Sequence, residues 1–188
     1  VDELLLGAYD ALVQFPAGET AVSPRLAKSW TISEDGLTYT FTLRDDVLFH
    51  DGTKLTAADA KFTLARLKAA KANVLNDIVP LSGAEVVDDH TVKLTLSKPF
   101  GPFLSALSRI YVVNKALVEP HMAEDNARQW LAVNEAGSGP YVIASYNPTE
   151  AVSLKAFDKY WGGWDGNHVA EVVFRYITEP STQLSLLK

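Results

Sequence analysis

Between residues 37 and 44 apolar and polar positions alternate without a break, Leu37, Tyr39, Phe41 and Leu43 against Thr38, Thr40, Thr42 and Arg44. A period of two predicts a strand with one face packed and one face wet. Upstream, Leu26, Trp30 and Ile32 share a parity that puts them on one face, and Ser33-Glu34-Asp35-Gly36 offers a turn in which Gly36 can take a positive φ. The two runs therefore predict a hairpin. Val47 to Phe49 reads as a short strand, His50-Asp51-Gly52 as a turn, and Thr56 with Asp59 three residues on as a capping box opening a helix. In that helix Ala58, Phe62, Ala65 and Ala69 form a stripe expected to lie against the hairpin.

The rest of the chain alternates between the same two signals. Leu5, Ala8, Tyr9 and Leu12 recur at helical spacing and predict a helix over Asp2 to Phe15, ended by Pro16 and Gly18. Lys68 to Asp77 finishes the first long helix and loops. Ala84 to Asp88 and Thr91 to Ser97 predict a second hairpin about Asp88-Asp89-His90. Phe103 to Leu107 reads as a short helix, Arg109 to Val113 as an extended piece and Glu124 to Val133 as a further helix. The texture turns small and turn-forming over Glu135 to Pro140, which marks a boundary. A third hairpin follows over Tyr141 to Tyr146 and Val152 to Phe157. Val172 to Ile177 is apolar on both parities, as in a strand covered on both faces, and the last eight residues begin a helix.

Composition narrows what such a chain can do. Its 188 residues are 47% hydrophobic, enough for a sizeable core, which argues against disorder. Seventeen basic and twenty-three acidic residues leave a net charge of −6, and no Lys/Arg cluster is dense enough to track a phosphate backbone, so nucleic acid is not an expected partner. No apolar run approaches the length that spans a bilayer, and no signal-peptide pattern is visible. Cysteine is absent, which removes disulfides, thiol nucleophiles and thiolate metal sites and leaves the compartment open.

Candidate chemistry is sparse. His50-Asp51 and Asp88-Asp89-His90 place imidazole beside carboxylate, but both fall where the chain must turn, and neighbours in a strand point to opposite faces. A hydrolase working through His50 and Asp51 is the enzyme reading, and it fails if the two side chains diverge. His50, His90, His121 and His168 lack short ligand spacing, so no metal site and no cofactor are expected. Gly137-Ser138-Gly139-Pro140 precedes a strand and lacks the Lys-Ser/Thr pair of a phosphate loop; Gly137, Gly139 and Pro140 read instead as a hinge-like link. No nucleophile elbow appears, and no catalytic residue is assigned. Tyr160-Trp161-Gly162-Gly163-Trp164 could stack on a ligand or form a packed edge.

Several of these stretches also carry a resemblance. Pro24 to Trp30 (P-x-L-A-x-S-W), Ser33 to Arg44 (S-E-D-G-L-T-Y-T-F-T-L-R), Phe49 to Gly52 (F-H-D-G) and Leu55 to Asp59 (L-T-A-A-D) are similar to bacterial extracellular solute-binding proteins of family 5. These are the peptide, nickel and opine binders of ABC importers. Gly137 to Tyr141, Ala156 to Gly162 and Phe174 to Pro180 continue the resemblance in the same order. It implies an α/β fold of mixed α+β character, periplasmic-binding-protein-like, with part of lobe I only. A mixed-sheet subdomain, residues 1–18 and 136–188, would carry an inserted smaller β-rich subdomain over residues 19–135. Family 5 proteins are bilobed and much longer, so the resemblance implies a truncated chain whose second lobe is missing.

On function, the resemblance implies a non-enzymatic periplasmic or lipoprotein component, monomeric when intact. It would capture a solute, first of all an oligopeptide or dipeptide, by two-lobe closure and pass it to ABC permease subunits. A nickel chelate, a sugar or an opine is the alternative cargo within the family. A ligand-sensing domain of a cytoplasmic transcription regulator is the alternative from another class. The resemblance puts Ser108, Arg109 and Tyr111 near the cleft, where the Arg109 guanidinium could pair a carboxylate or simply sit at a helix end. Asn73 and Asn76 fall in the other bordering segment, where their amides could meet a polar ligand or only solvent.

Overall fold

The computed structural model describes residues 7–78, 80–147, 149–164, 166–177 and 179. The strong alternation at residues 37–44 becomes β4 (Thr38–Leu43), which pairs with β3 (Ala27–Ile32) on one side and β6 (Thr91–Leu96) on the other; β5 (Leu81–Asp88) completes a four-stranded antiparallel sheet in the order β3-β4-β6-β5. The register sets Tyr39 opposite Leu94 and Phe41 opposite Val92. Those four side chains are buried on one face, as the alternation demands. Gly36 closes the first hairpin at φ 68°, with Asp35 accepting the Leu37 N–H. Ile32 stands opposite Tyr39 on the packed face, as expected, yet is 48% exposed, because it ends β3, the edge strand of the sheet.

Helix α1 (Ala57–Ala69) opens where the capping box was expected. The Asp59 carboxylate accepts the Thr56 N–H at 2.9 Å and also takes the Lys115 N–H at 2.8 Å from a distant segment. The buried stripe is rotated from the expected one. Ala57, Ala60 and Leu64 face the sheet core while Ala65 and Ala69 are exposed, and the helix packs on β5 and β6 rather than on the first hairpin. Phe62 had fixed the expected phase, and it serves a second cluster with Tyr9, Val113, Val118 and Ala136. The helix is thus shared between two cores, which widens its apolar face beyond one stripe. After a 3₁₀ turn (Asn73–Ile78), α2 (Phe103–Leu107) drives Phe103 under Tyr39, edge to face at 4.8 Å. Burial of each such ring contributes about 1.5–3 kcal/mol.

Three expectations fail for identifiable reasons. Asp2 to Phe15 was read as helix; residues 1–6 lie outside the described residues, Gly7 and Ala8 are helical, but from Tyr9 onward the chain is extended, with Val13–Gln14 (β1) pairing Ser23–Pro24 (β2) and Ala11 bridging Tyr111. Ala8, Tyr9, Asp10, Ala11, Leu12 and Val13 are buried one after another. A segment covered on all sides has no exposed phase, so its i, i+3, i+4 spacing carried no information. Glu124 to Val133 is two short helices, α4 (Met122–Asp125) and α5 (Arg128–Leu131), because Asn126 and Ala127 both sit at φ 59°. Between α2 and α4, α3 (Lys115–Val118) is capped by the Asn114 side chain. Val47 to Phe49 forms only a bridge, Leu48 to Lys54.

The third hairpin forms as expected, β7 (Tyr141–Asn147) with β8 (Ala151–Ala156), and β9 (Glu171–Arg175) adds the edge of a three-stranded antiparallel sheet. Covering on both faces of β9 is not seen among the described residues; half-buried and exposed positions alternate along it. The helix expected over the last eight residues lies outside the described residues. The described architecture is mixed α/β with three sheets, every strand pair antiparallel.

Candidate functional site

Between the segment around β1 and the strand-like turn after α2 lies a cleft of about 310 Å³ lined by Tyr9, Asp10, Gln14, Phe15, Arg25, Ser108, Arg109 and Tyr111 among others. The three residues singled out after α2 therefore do share a cavity. Ile110 and Val112 point the other way into the core, and the Val112 N–H donates to the Asp10 carbonyl at 2.9 Å, which fixes the intervening side chains on the cleft side. The Ser108 hydroxyl donates to the Ser105 carbonyl at 2.7 Å and so closes α2. The Tyr111 ring lies 6.4 Å from that of Tyr9. Asn73 is exposed in the 3₁₀ turn beside α2 and is not among the cleft-lining residues; the Asn76 side chain lies outside those described.

The floor of the cleft is built around Asp10, which is buried. A carboxylate out of water must be fully hydrogen-bonded, and this one is. Its Oδ1 accepts from the Arg25 guanidinium at 2.6 and 2.7 Å, and its Oδ2 from the Ser138 hydroxyl at 3.1 Å and the Trp161 indole N–H at 2.9 Å. Arg25 also donates to the Gln14 side chain at 2.8 Å and lies 5.5 Å from the Trp161 ring centre, with Arg44 over the same ring at 4.3 Å. Trp161 is thereby a packed edge tied to the scaffold. With both oxygens occupied, Asp10 offers a ligand shape and polarity and no free base. Burial pushes the phenols of Tyr9 and Tyr160 up, Tyr9 to about 12. Both are hydroxyl groups at neutral pH, never phenolates.

Neither acid–imidazole pair becomes a dyad. The His50 ring is turned to Glu135, at 2.7 and 2.9 Å from Nδ1, and to the Gly139 carbonyl, 2.9 Å from Nε2. Asp51 faces away, accepting from Thr53 and from the Asn114 amide. The Asp88 carboxylate accepts the His90 N–H at 2.8 Å, which holds its pKa below the usual carboxylate range and marks a turn. No group of three His, Asp or Glu side chains suited to a metal occurs among the described residues.

The Gly137–Pro140 segment crosses the chain at Ala8. A Cβ on Gly137 would stand 2.0 Å from the Ala8 carbonyl oxygen, and one on Gly139 would meet three backbone atoms of residues 7–9 at 2.5–2.6 Å. These glycines answer to close approach. The Gly139 N–H donates to the Ala8 carbonyl at 3.0 Å, and the Asn114 N–H to the Ala136 carbonyl at 2.9 Å. A second, more apolar groove of about 630 Å³ opens between Trp130–Glu135 and Ile143–Tyr146, with Leu117, Tyr9 and Tyr176. Asp10, Arg25 and the His50–Glu135 pair escaped sequence reasoning. The signal for Asp10 was there, a lone acid inside an apolar run.

The family model described as bacterial extracellular solute-binding proteins, family 5 Middle, matches residues 21–188. The probable D,D-dipeptide-binding periplasmic protein DdpA of Escherichia coli strain K12 is 37% identical over 161 residues, spanning 82% of this chain and 31% of that protein. The glutathione-binding protein GsiB of Salmonella typhimurium is 33% identical over 165 residues, 87% of this chain and 31% of its own length. Among solved structures, NikZ from Campylobacter jejuni in complex with Ni(L-His) superposes with a TM-score of 0.86 at 32% identity, over 97% of this chain and 36% of its own. The DppA protein of Helicobacter pylori in complex with the peptide STSA superposes with a TM-score of 0.80 at 29% identity, over 96% and 39%. The chain thus spans about a third of the length of the curated relatives it matches. No helix among the described residues is long and apolar enough to cross a membrane. With its family segments in order and its fold shared almost end to end, the chain belongs to the bacterial extracellular solute-binding proteins of family 5.

Proposed function

We propose that this chain forms part of the solute-binding component of an ABC importer, acting outside the cytoplasmic membrane and handing a small solute, first of all a peptide, to a permease. The observation that carries this reading is the superposition over 96–97% of the chain on family members that hold Ni(L-His) and a peptide. On this reading residues 1–18 and 136–188 are pieces of the larger lobe I subdomain and residues 19–135 the smaller β-rich insert. Capture is by closure of two lobes. On the same reading Gly137, Gly139 and Pro140 form a hinge-like link between the two lobe I subdomains, held in this structure by the Gly139–Ala8 and Asn114–Ala136 hydrogen bonds.

Binding without bond-making fits the separated His50 and Asp51 networks and the fully occupied Asp10 carboxylate. The proposed contact wall is Ser108, Arg109 and Tyr111, with Asn73 and Asn76 at the border. Isothermal titration of the protein carried to the length of its relatives, against free dipeptides, amidated dipeptides and a nickel–histidine chelate, tests this. Free dipeptide should bind and Arg109→Ala should weaken it at least tenfold. Binding of none of these, or binding indifferent to Arg109, overturns the assignment, and preference for the chelate redirects it to the cargo carried by NikZ.

A further inference from the structure

His50 carries an inference that ligand binding does not need. Its side chain is 4% exposed, inserted between the turn after β4 and the Glu135–Gly139 crossing. An acceptor stands at each ring nitrogen, the Glu135 carboxylate at Nδ1 and the Gly139 carbonyl at Nε2. The ring meets Phe157 edge to face at 4.9 Å, and the His50 N–H donates to the Gly137 carbonyl at 3.0 Å. Glu135 in turn accepts the Gly137 N–H at 3.2 Å. From the N-terminal segment, the Tyr9 hydroxyl accepts the Ala136 N–H at 3.2 Å. One side chain therefore contacts both ends of the crossing and the loop after β8. A neutral imidazole has one N–H and can answer one of two acceptors; only a ring with a proton on each nitrogen answers both.

We propose that His50 is a clasp: its ring, donating from both nitrogens, shuts the Glu135–Gly139 crossing against the four-stranded body, and without it the crossing opens as a unit while both sheets stay intact. The joint opens at a lower free energy than the sheets because few of its hydrogen bonds are shared with a ladder.

Native-state hydrogen exchange on this protein tests the clasp with no solute present, so its failure leaves the solute-binding reading standing and the converse also holds. In His50→Gln the amides of Gly139, Asn114 and His50's successor at position 50, which all cross the joint, should exchange at least tenfold faster, while amides of β4, β6 and β8 keep their rates. Glu135→Gln preserves shape, removes the charge facing Nδ1, and should speed the same amides selectively; it keeps the test alive if the first variant does not fold. Nitrogen-15 NMR of the native imidazole should show a proton on each ring nitrogen. A singly protonated ring overturns the proposal. So do unchanged joint amides, or an acceleration spread evenly over joint and sheets.

Discussion

Replacing Gly137 by alanine separates a glycine required by close approach from one that merely occupies a loop. The new Cβ would lie 2.0 Å from the Ala8 carbonyl oxygen, a backbone atom that no rotamer change can move aside. Restoring an ordinary carbon–oxygen separation of about 3.3 Å pushes the two strands of chain apart by more than 1 Å. The Gly139–Ala8 hydrogen bond, 3.0 Å long, does not survive that. Overpacking costs about 1–3 kcal/mol and the lost bond about 1 kcal/mol, against about 0.4–1 kcal/mol gained from restricting the unfolded chain. The net is about 1–3.6 kcal/mol of destabilisation, or a Tm lower by about 2–14 °C in a chain of this size. Gly101→Ala is the control, since a Cβ there meets nothing within 4 Å; its Tm should hold or rise slightly. Thermal unfolding followed by far-ultraviolet circular dichroism reads both. If Gly137→Ala melts with Gly101→Ala, the crossing is loose and the close-approach argument is wrong.

Asp10→Asn keeps the shape of a buried side chain that loses its charge opposite Arg25, whose own side chain is 24% exposed; urea unfolding should show a loss of about 3 kcal/mol, the low end for a broken buried pair, and a loss under 1 kcal/mol would remove Asp10 from its central place. Spectroscopic titration should find phenols that ionise late. Tyr9 is raised to about 12 by burial, so its contribution is complete below the unfolded value near 10 and disappears as pH climbs from there through 12; an ordinary phenolate titration with no alkaline loss of stability refutes its burial. At the acid end Asp35, Asp45, Asp46, Glu85 and Asp88 are all held below their usual values by hydrogen bonds, so what they add is present above those values and lost as pH falls. Since these groups sit at the surface, added salt should flatten that slope.

Sequence reading succeeded where local rules decide. The three hairpins follow from alternation plus turn residues, and the start of α1 follows from Thr56 and Asp59, because those signals are complete within a few residues. Reading failed where the deciding partner is far away. Residues 9–13 look helical until Tyr111, Arg25 and Ala27 are known to lie beside them. Asn126 and Ala127 break a periodic stretch through backbone angles that no composition rule for alanine would supply. For the cleft, Ser108, Arg109 and Tyr111 came from resemblance, while Asp10 and Arg25 were passed over because a lone acid in an apolar run reads as an interruption of a helix face. The rule that a charge inside such a run needs a partner would have pointed to it.

The links from Asp10 to Ser138 and Trp161, and from Tyr9 to Ala136, span between 127 and 151 positions. A ribosome adding roughly 5–20 residues each second takes on the order of 10 s to cover that interval. During it the stretch from Ala8 to Val13 can pair with Arg25 and the backbone of residues 23–27, but Asp10 still lacks its Ser138 and Trp161 donors and the tract its cover from residues 136–139. The tract is therefore made well before the residues that finish securing it, and whatever escorts the nascent chain must shield it while the first two hairpins are already complete.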